Sequence, residues 1–326
     1  MIVTLNREAD LESVKGRLAG LGLWVGSVER SRAGEVHLVV GNASAAVDTS
    51  IVEGVPGVSS VSAPASVHPR VDAMGPSVSV GDQTISPRSP IVVAGPCAVE
   101  SEEQIERIAG KLAERGVRFL RGGAFKPRTS PYAFQGHGRS ALDWLRAAAD
   151  RTGMKVVTEV LSETDVDAVA DRADVLQVGS RNMQAFSLLK AVGRAEKPVL
   201  LKRSMAATVE EWLLAGEYLL SHGAKGVVFC ERGVRGFDPS TRNLLDLGAV
   251  ALLAHAYGIP VLVDPSHATG RRELVLPLAR AALAAGAAGV MIEVHDDPAS
   301  AKSDGPQALL PESVGELVGS IRAVPR

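Results

Sequence analysis

From residue 91 onward the chain alternates short, continuously apolar runs with longer stretches whose apolar residues recur every three or four positions. Runs of the first kind read as strands buried on both faces, and those of the second as helices laid against them. The pattern predicts strands at Ile91–Ala94, Arg118–Arg121, Lys155–Thr158, Val175–Val178, Val199–Leu201, Gly226–Phe229, Val261–Val263 and Val290–Ile292. Helices are expected near 102–115, 138–152, 163–171, 184–193, 208–222, 243–257 and 270–285, with a last near 312–322. Eight such units in roughly 235 residues fit a (β/α)8 barrel in size and count. An open, doubly wound sheet would place a Gly-rich phosphate loop after its first strand, and Gly95-Pro96-Cys97 is not one.

The first 65 residues follow a different rhythm. Strands are expected at Met1–Leu5, Leu23–Val28, Glu35–Val40 and Val58–Val61, with helices at Asp10–Leu21 and, more weakly, Ser44–Glu53. Ser31-Arg32-Ala33-Gly34 supplies a turn between the second and third strands. The order β-α-β-β-α-β predicts a small ferredoxin-like domain. It holds no catalytic constellation, and such a fold hosts many functions. Residues 66–90 are rich in Ser, Pro and Gly and read as a linker. An alternating run, Ser77–Ile85, suggests a hairpin lying under the barrel. The domains expected are therefore 1–65, a linker with its hairpin at 66–90, and the barrel at 91–326.

Composition narrows the class. The 326 residues are 46% hydrophobic and 22% charged with a net charge of −2, ordinary for a soluble globular protein. Without a basic stripe, nucleic acid is not an expected partner. The most apolar late stretch, Ala281 to Ile292, is too short to span a bilayer, so no membrane partner is expected. The N-terminus has no signal-peptide pattern, and two cysteines point to a reducing compartment, so a cytoplasmic location is expected.

Barrel active sites lie at the C-terminal strand ends. Here those ends carry Arg121, Lys126, Arg128, Arg181, Lys202, Arg203 and Arg232 around a single mouth. Clustered cations in a cleft concentrate anionic ligands, and Arg forks match phosphate and carboxylate. The set suits two phosphorylated substrates, or one phosphate with one carboxylate. Cys97, His267, Glu293 and Asp304 occupy adjacent barrel positions, because the last strand closes onto the first. Their mixed S, N and O donors suit one divalent transition metal ion. Cys230 follows an apolar strand with no neighbouring His and reads as a buried structural thiol.

Four segments carry a specific likeness: Ala94-Gly95-Pro96-Cys97-Ala98-Val99-Glu100-Ser101, Arg121 to Ser130 (RGGAFKPRTS), Leu201-Lys202-Arg203 and Asp264-Pro265-Ser266-His267. They resemble the type I-beta 3-deoxy-D-arabino-heptulosonate 7-phosphate (DAHP) synthases from Ile91 to about Arg322. One branch of that family carries an N-terminal ferredoxin-like regulatory domain. The resemblance implies condensation of phosphoenolpyruvate with erythrose 4-phosphate, the first step of the shikimate pathway. It makes Cys97, His267, Glu293 and Asp304 the ligands of one ion of manganese, iron, cobalt or zinc. Arg121, Lys126, Arg181, Lys202 and Arg232, with Glu159 and the backbone of Gly179 and Ser180, match positions that hold phosphoenolpyruvate, and Asp264 is counted with the substrate set. Lys126, Pro127, Arg128 and Thr129 match the erythrose 4-phosphate segment. Lys126, Cys97, His267, Glu159 and Asp304 are the expected catalytic residues, with Lys126 the acid for the developing alkoxide. Ser180, Ser204 and Gly236 depart from the family pattern, where Ala, Gly and Thr are usual.

The resemblance further implies a homotetramer inhibited by phenylalanine or tyrosine through the N-terminal domain. One rival, 3-deoxy-D-manno-octulosonate 8-phosphate synthase, shares the phosphoenolpyruvate residues. It carries Lys-Ala-Asn-Arg-Ser-Ser in place of Lys126-Pro127-Arg128-Thr129-Ser130. The other rival is a catalytically silent amino-acid-sensing barrel, which the retained donors and cations argue against.

Overall fold

The computed structural model describes residues 1–31, 34–41, 44, 45, 47–126 and 130–323. The chain divides into two compact units, Met1–Val67 and His68–Arg326. In the first, β1 (Ile2–Leu5), β2 (Val25–Arg30), β3 (Val36–Val40) and β4 (Val58–Ser62) form an antiparallel sheet in the order β2-β3-β1-β4. Helices Leu11–Gly20 and Thr49–Glu53 complete the ferredoxin-like order, and Val3, Val14, Leu18, Leu38 and Val52 form its core. The second helix is shorter than its pattern suggested, because Asp48 stays extended and caps it by accepting from the Ser50 N–H. The Arg32-Ala33 part of the expected turn lies outside the described residues.

The second unit opens with a short helix, Pro69–Asp72, and then a hairpin, β5 (Val78–Val80) and β6 (Gln83–Ile85), turning at Gly81 with φ +60°. Eight parallel strands follow and close into a barrel. They are β7 (Ile91–Gly95), β8 (Phe119–Arg121), β9 (Lys155–Val160), β10 (Val175–Val178), β11 (Pro198–Lys202), β12 (Gly226–Glu231), β13 (Val261–Val263) and β14 (Gly289–Glu293). The seam is made by β14 beside β7, with Glu293 opposite Gly95. All eight strand positions expected from the pattern are occupied by strands. Alternate residues point inward and outward. Val93, Phe119, Val157, Val175, Leu200, Val228, Leu262 and Met291 fill the interior together with Val78, Val80 and Ile85 of the hairpin. Val92, Leu120, Val156, Leu201 and Phe229 belong to the layer packed under the helices. The hairpin therefore plugs the N-terminal end of the barrel. No helix among the described residues is long and apolar enough to cross a membrane.

Three differences from the pattern matter for the site. Strands β9, β12 and β14 run on through Glu159, Glu231 and Glu293, so these acids are held by the sheet rather than by loops. The helix expected at 243–257 begins only at Leu247, where Asp246 caps it, and widens to π geometry at Leu252–Tyr257. Residues 232–246 are thereby left as a loop at the mouth. A short helix, Pro265–Thr269, follows β13 at once, with Pro in its first turn and the Asp264 carboxylate accepting from the His267 N–H.

The plug gives a stability prediction. Ile85→Ala removes a side chain 2% exposed in the interior layer. It should cost about 2–5 kcal/mol, read as a lower denaturant midpoint at unchanged slope. A midpoint equal to that of the parent would show the hairpin to be dispensable.

Candidate active site

The site is built at the seam. Strand β7 ends at Gly95, where a Cβ would lie 1.9 Å from the Arg121 carbonyl oxygen, so the close approach of β8 requires glycine. Pro96 then delivers Cys97, whose carbonyl accepts from Gly123 N (3.2 Å), Lys126 Nζ (2.9 Å) and Arg121 Nη2 (3.5 Å). Its Sγ lies 2.9 Å from Lys126 Nζ and 2.9 Å from Asp304 Oδ2. Burial, reinforced by the Glu293 charge and partly opposed by Lys126, pushes the thiol up to about 12. Such a thiol ionises only when a strong positive charge arrives.

His267 is aimed by Asp264. Oδ2 of that buried carboxylate sits 2.7 Å from His267 Nδ1 and also accepts from Lys202 Nζ. Although burial opposes ionisation, the charges of His267, Lys202 and Arg121 hold Asp264 well below the usual carboxylate range. With Nδ1 engaged, Nε2 turns toward Glu293, 3.3 Å away. Glu293 is fully buried, 3.2 Å from Arg121 Nη1, and its other oxygen accepts from Gln307 Nε2. Asp304 adopts φ +53°, a left-handed conformation that Asp tolerates better than most residues. Its Oδ1 is 3.3 Å from Arg242 Nη1. Against the cost of burial, the Cys97 hydrogen bond and the His267, Arg242 and Lys126 charges bring it down to about 2.

The four expected metal donors thus converge, with one ligand atom from each of Cys97, His267, Glu293 and Asp304 all within 4.8 Å of one another. The donor chemistry fits a borderline-soft divalent ion. It offers a thiolate precursor, an imidazole oriented by a carboxylate and two carboxylates, all held by outer hydrogen bonds.

Beside them opens a cavity of about 400 Å³ lined by Arg121, Lys126, Ser130, Ala133, Glu159, Gln177, Gly179, Ser180, Arg181, Lys202, Met205, Arg232, Arg242, His267 and Asp304. Six of these side chains are cations and two are carboxylates, so the wall favours anions. Glu159 accepts from Gln177 Nε2 at 3.3 Å, and a Cβ on Gly179 would fall 1.9 Å from its Oε1. Gly179 is therefore what lets Glu159 reach the cavity wall. Burial lowers Arg232 from its ordinary range, and its Nη1 is buried without a hydrogen-bond partner. A second cavity, about 920 Å³, lies between the hairpin end and Val318 and Ile321, and holds none of the donors.

Not every expected residue belongs here. Arg203 is not on the cavity wall, because its guanidinium is bound between Glu231 (3.0 Å) and Asp246 (2.9 Å). Asp264 lies fully buried behind the wall, where it holds Lys202 and His267. Pro127, Arg128 and Thr129 lie outside the described residues. Cys230 is fully buried in the barrel interior, and burial pushes its thiol up to about 12. Arg242 and Gln177 were missed by the sequence reading. Arg242 lies ten residues beyond Arg232 in the loop left by the shortened helix, and Gln177 is an inward-facing polar residue within an apolar strand. That single polar break in Val175–Val178 was the available signal.

Comparisons with known proteins agree with this geometry. Residues 77–321 match the model of the DAHP synthetase I family. The chain is 50% identical over 245 residues to the phospho-2-dehydro-3-deoxyheptonate aldolase of Thermotoga maritima, covering 75% of this chain and 72% of that protein. A 2-dehydro-3-deoxyphosphooctonate aldolase of Acidithiobacillus ferrooxidans is 34% identical over 237 residues, covering 67% and 83%. The crystal structure of the Thermotoga DAHP synthase aligns with 98% of this chain and 96% of its own at 40% identity, with a TM-score of 0.76. A truncated form of a Thermotoga DAHP synthase aligns with 77% of this chain and 92% of its own, at 45% identity and a TM-score of 0.71. With barrel, donor set and cationic cavity in agreement, the chain belongs to the DAHP synthetase I family.

Proposed function

We propose that the cationic cavity is where the two substrates of this DAHP synthase meet, and that the residues around it divide the work as follows. The reaction joins phosphoenolpyruvate, erythrose 4-phosphate and water to give 3-deoxy-D-arabino-heptulosonate 7-phosphate and phosphate. The observation that carries the reading is a group of four metal-capable donors, two of which, His267 and Asp304, line a cavity walled by six cations.

Arg121, Lys202, Arg181 and Arg232 take up the charges of phosphoenolpyruvate, with Gly179 and Ser180 lining the same wall. Cys97, His267, Glu293 and Asp304 would hold a divalent ion, which when bound would supply Lewis acidity for the sugar's aldehyde. The alkene carbon of phosphoenolpyruvate then forms a bond to the aldehyde carbon, leaving positive charge on the carbon that bears phosphate. Lys126, whose Nζ is within 2.9 Å of Cys97 Sγ, is placed to protonate the new alkoxide. Glu159, held by Gln177, faces the same space and orients water for addition to the cationic carbon. That addition gives a tetrahedral phosphohemiketal. Phosphate leaves by C–O cleavage as the added hydroxyl becomes the product carbonyl.

The N-terminal unit adds nothing that this chemistry requires, and we assign it a regulatory role. Its ferredoxin-like order and the full-length alignment with the Thermotoga enzyme support that assignment. Phenylalanine or tyrosine is the proposed effector and a homotetramer the proposed assembly, in a cytoplasmic setting. An inhibitor of this kind acts by favouring one domain arrangement over another.

Three experiments check the reading. Chelation should abolish turnover and added manganese, iron, cobalt or zinc restore it. Cys97→Ala should stay folded yet lose metal affinity by more than the roughly 10–100-fold that follows loss of an outer partner. Full activity of chelated protein would overturn the metal role. In parallel assays kcat/KM for erythrose 4-phosphate should exceed that for arabinose 5-phosphate by at least about tenfold, and the reverse preference would assign the chain to the eight-carbon branch. Removing residues 1–67 should leave an active barrel indifferent to both amino acids. Inhibition as strong as in the full chain would place the effector site in the barrel instead.

A further inference from the structure

Behind the anion wall lies a buried charged cluster that the reaction does not use directly. Arg203 is 6% exposed, and its Nη1 donates to Glu231 Oε2 at 3.0 Å and Asp246 Oδ2 at 2.9 Å. Its Nε donates to the Ala207 carbonyl at 3.1 Å, its backbone N–H to the Cys230 carbonyl at 3.0 Å, and its guanidinium stands 5.7 Å from the Trp212 ring centre. Glu231 is fully buried, and its second oxygen, Oε1, accepts from the Gly233 N–H at 2.6 Å. One carboxylate therefore ties both ends of the turn Glu231-Arg232-Gly233, and Arg203 fixes that carboxylate from behind.

The residue inside that turn is Arg232. Its guanidinium makes no hydrogen bond or ion pair among the described residues, and its buried Nη1 is unsatisfied. Side-chain partners do not hold it in place, so its direction comes from the backbone. That backbone is constrained on both sides. Gly233 has φ +92°, and a Cβ there would lie 2.6 Å from Asn243 Cβ and 3.0 Å from Ala268 Cα. Asn243 Nδ2 in turn donates to the His267 carbonyl at 3.1 Å. A buried ion pair adds little net stability over apolar packing of equal volume, so stability alone does not account for this one. A fixed turn geometry does.

We propose that Glu231, clamped by Arg203, is a positioning residue that aims the unpaired Arg232 guanidinium at the anionic end of phosphoenolpyruvate. The inference rests on the reading of the cavity given above. Glu231→Gln is the direct probe, because an amide keeps the shape but cannot accept from Arg203 and Gly233 at once. Arg203→Lys keeps the charge but not the fork, and Asp246→Asn tests the half-buried partner.

The full chain with metal bound should be assayed with each substrate varied in turn, alongside thermal unfolding and calorimetric titration with phosphoenolpyruvate. Glu231→Gln should raise KM and Kd for phosphoenolpyruvate at least about tenfold while KM for erythrose 4-phosphate stays within about twofold. Arg203→Lys should fall between parent and Glu231→Gln. On an Arg232→Ala background, Glu231→Gln should change phosphoenolpyruvate affinity by less than about twofold, because residues acting as a unit are not additive. Should Arg232→Ala weaken phosphoenolpyruvate binding while a folded Glu231→Gln leaves it unchanged, or shifts both substrates equally, the positioning role is overturned and the cavity reading stands. Unchanged affinity in Arg232→Ala overturns both. If Glu231→Gln fails to fold, Arg203→Lys and Asp246→Asn decide by the same split between the two KM values.

Discussion

A carboxylate with no exposure to water sits at the centre of this active site, and much of the rest is arranged to make its burial tolerable. Asp264 ends the apolar run of β13 and holds Lys202 and His267 with the same oxygen, while its other oxygen caps the helix that carries His267. An isolated ion of this kind is not stable in a protein interior, and removing one member of a buried pair typically costs about 3–5 kcal/mol. The cations on either side serve opposite ends of the site. Lys202 lines the cavity that faces the anions, and His267 is one of the metal-capable donors. Asp264 therefore couples the orientation of the metal set to that of the substrate wall without lining the cavity itself.

So dense a set of buried charges needs support from elsewhere in the barrel. The interior layers below are apolar, and the hairpin adds Val78, Val80 and Ile85 to them. At about 25 cal/mol per Å² of apolar surface removed from water, such layers supply a stabilisation that ion pairs do not. The polarity of the barrel is thus graded along its axis. Hydrocarbon fills the N-terminal end, and fixed charge lines the C-terminal end.

The sequence exposed the barrel strands because parallel strands buried on both faces leave continuous apolar runs that few other elements produce. The donors were legible for a related reason. Cys97, His267 and Glu293 stand at or just beyond those runs, where the topology alone brings the first and last strands together. What stayed hidden was side-chain direction. Lys202 and Arg203 are neighbours at one strand end and look alike in sequence, yet one lines the cavity and the other turns behind it to Glu231 and Asp246. The alternation of a strand separates them, and one more residue of β11 decides which goes where. Arg242 was hidden because Asp246 captures the helix start and leaves the preceding residues as loop, a capping choice that the apolar periodicity does not record.

Three of the four metal-capable donors follow directly from strands β7, β13 and β14, and the fourth, Asp304, comes from a long loop. That loop is nonetheless tied down. His295 is bonded to Gln104 at 3.0 Å, Lys302 N donates to Glu100 Oε1 at 2.7 Å, and Leu309 N returns to the Glu293 carbonyl at 2.8 Å. Each contact fastens the loop to β14 or to the segment that leads from β7 into the first turn of the helix after it. Asp304 also sits at a left-handed φ, which is unfavourable for a residue with a side chain unless its surroundings enforce it. Arg242 grips its Oδ1 from the loop after β12. The arrangement therefore sets one donor on the sheet itself (Glu293), two within four residues of strand ends (Cys97 and His267) and the fourth on a fastened but separate segment.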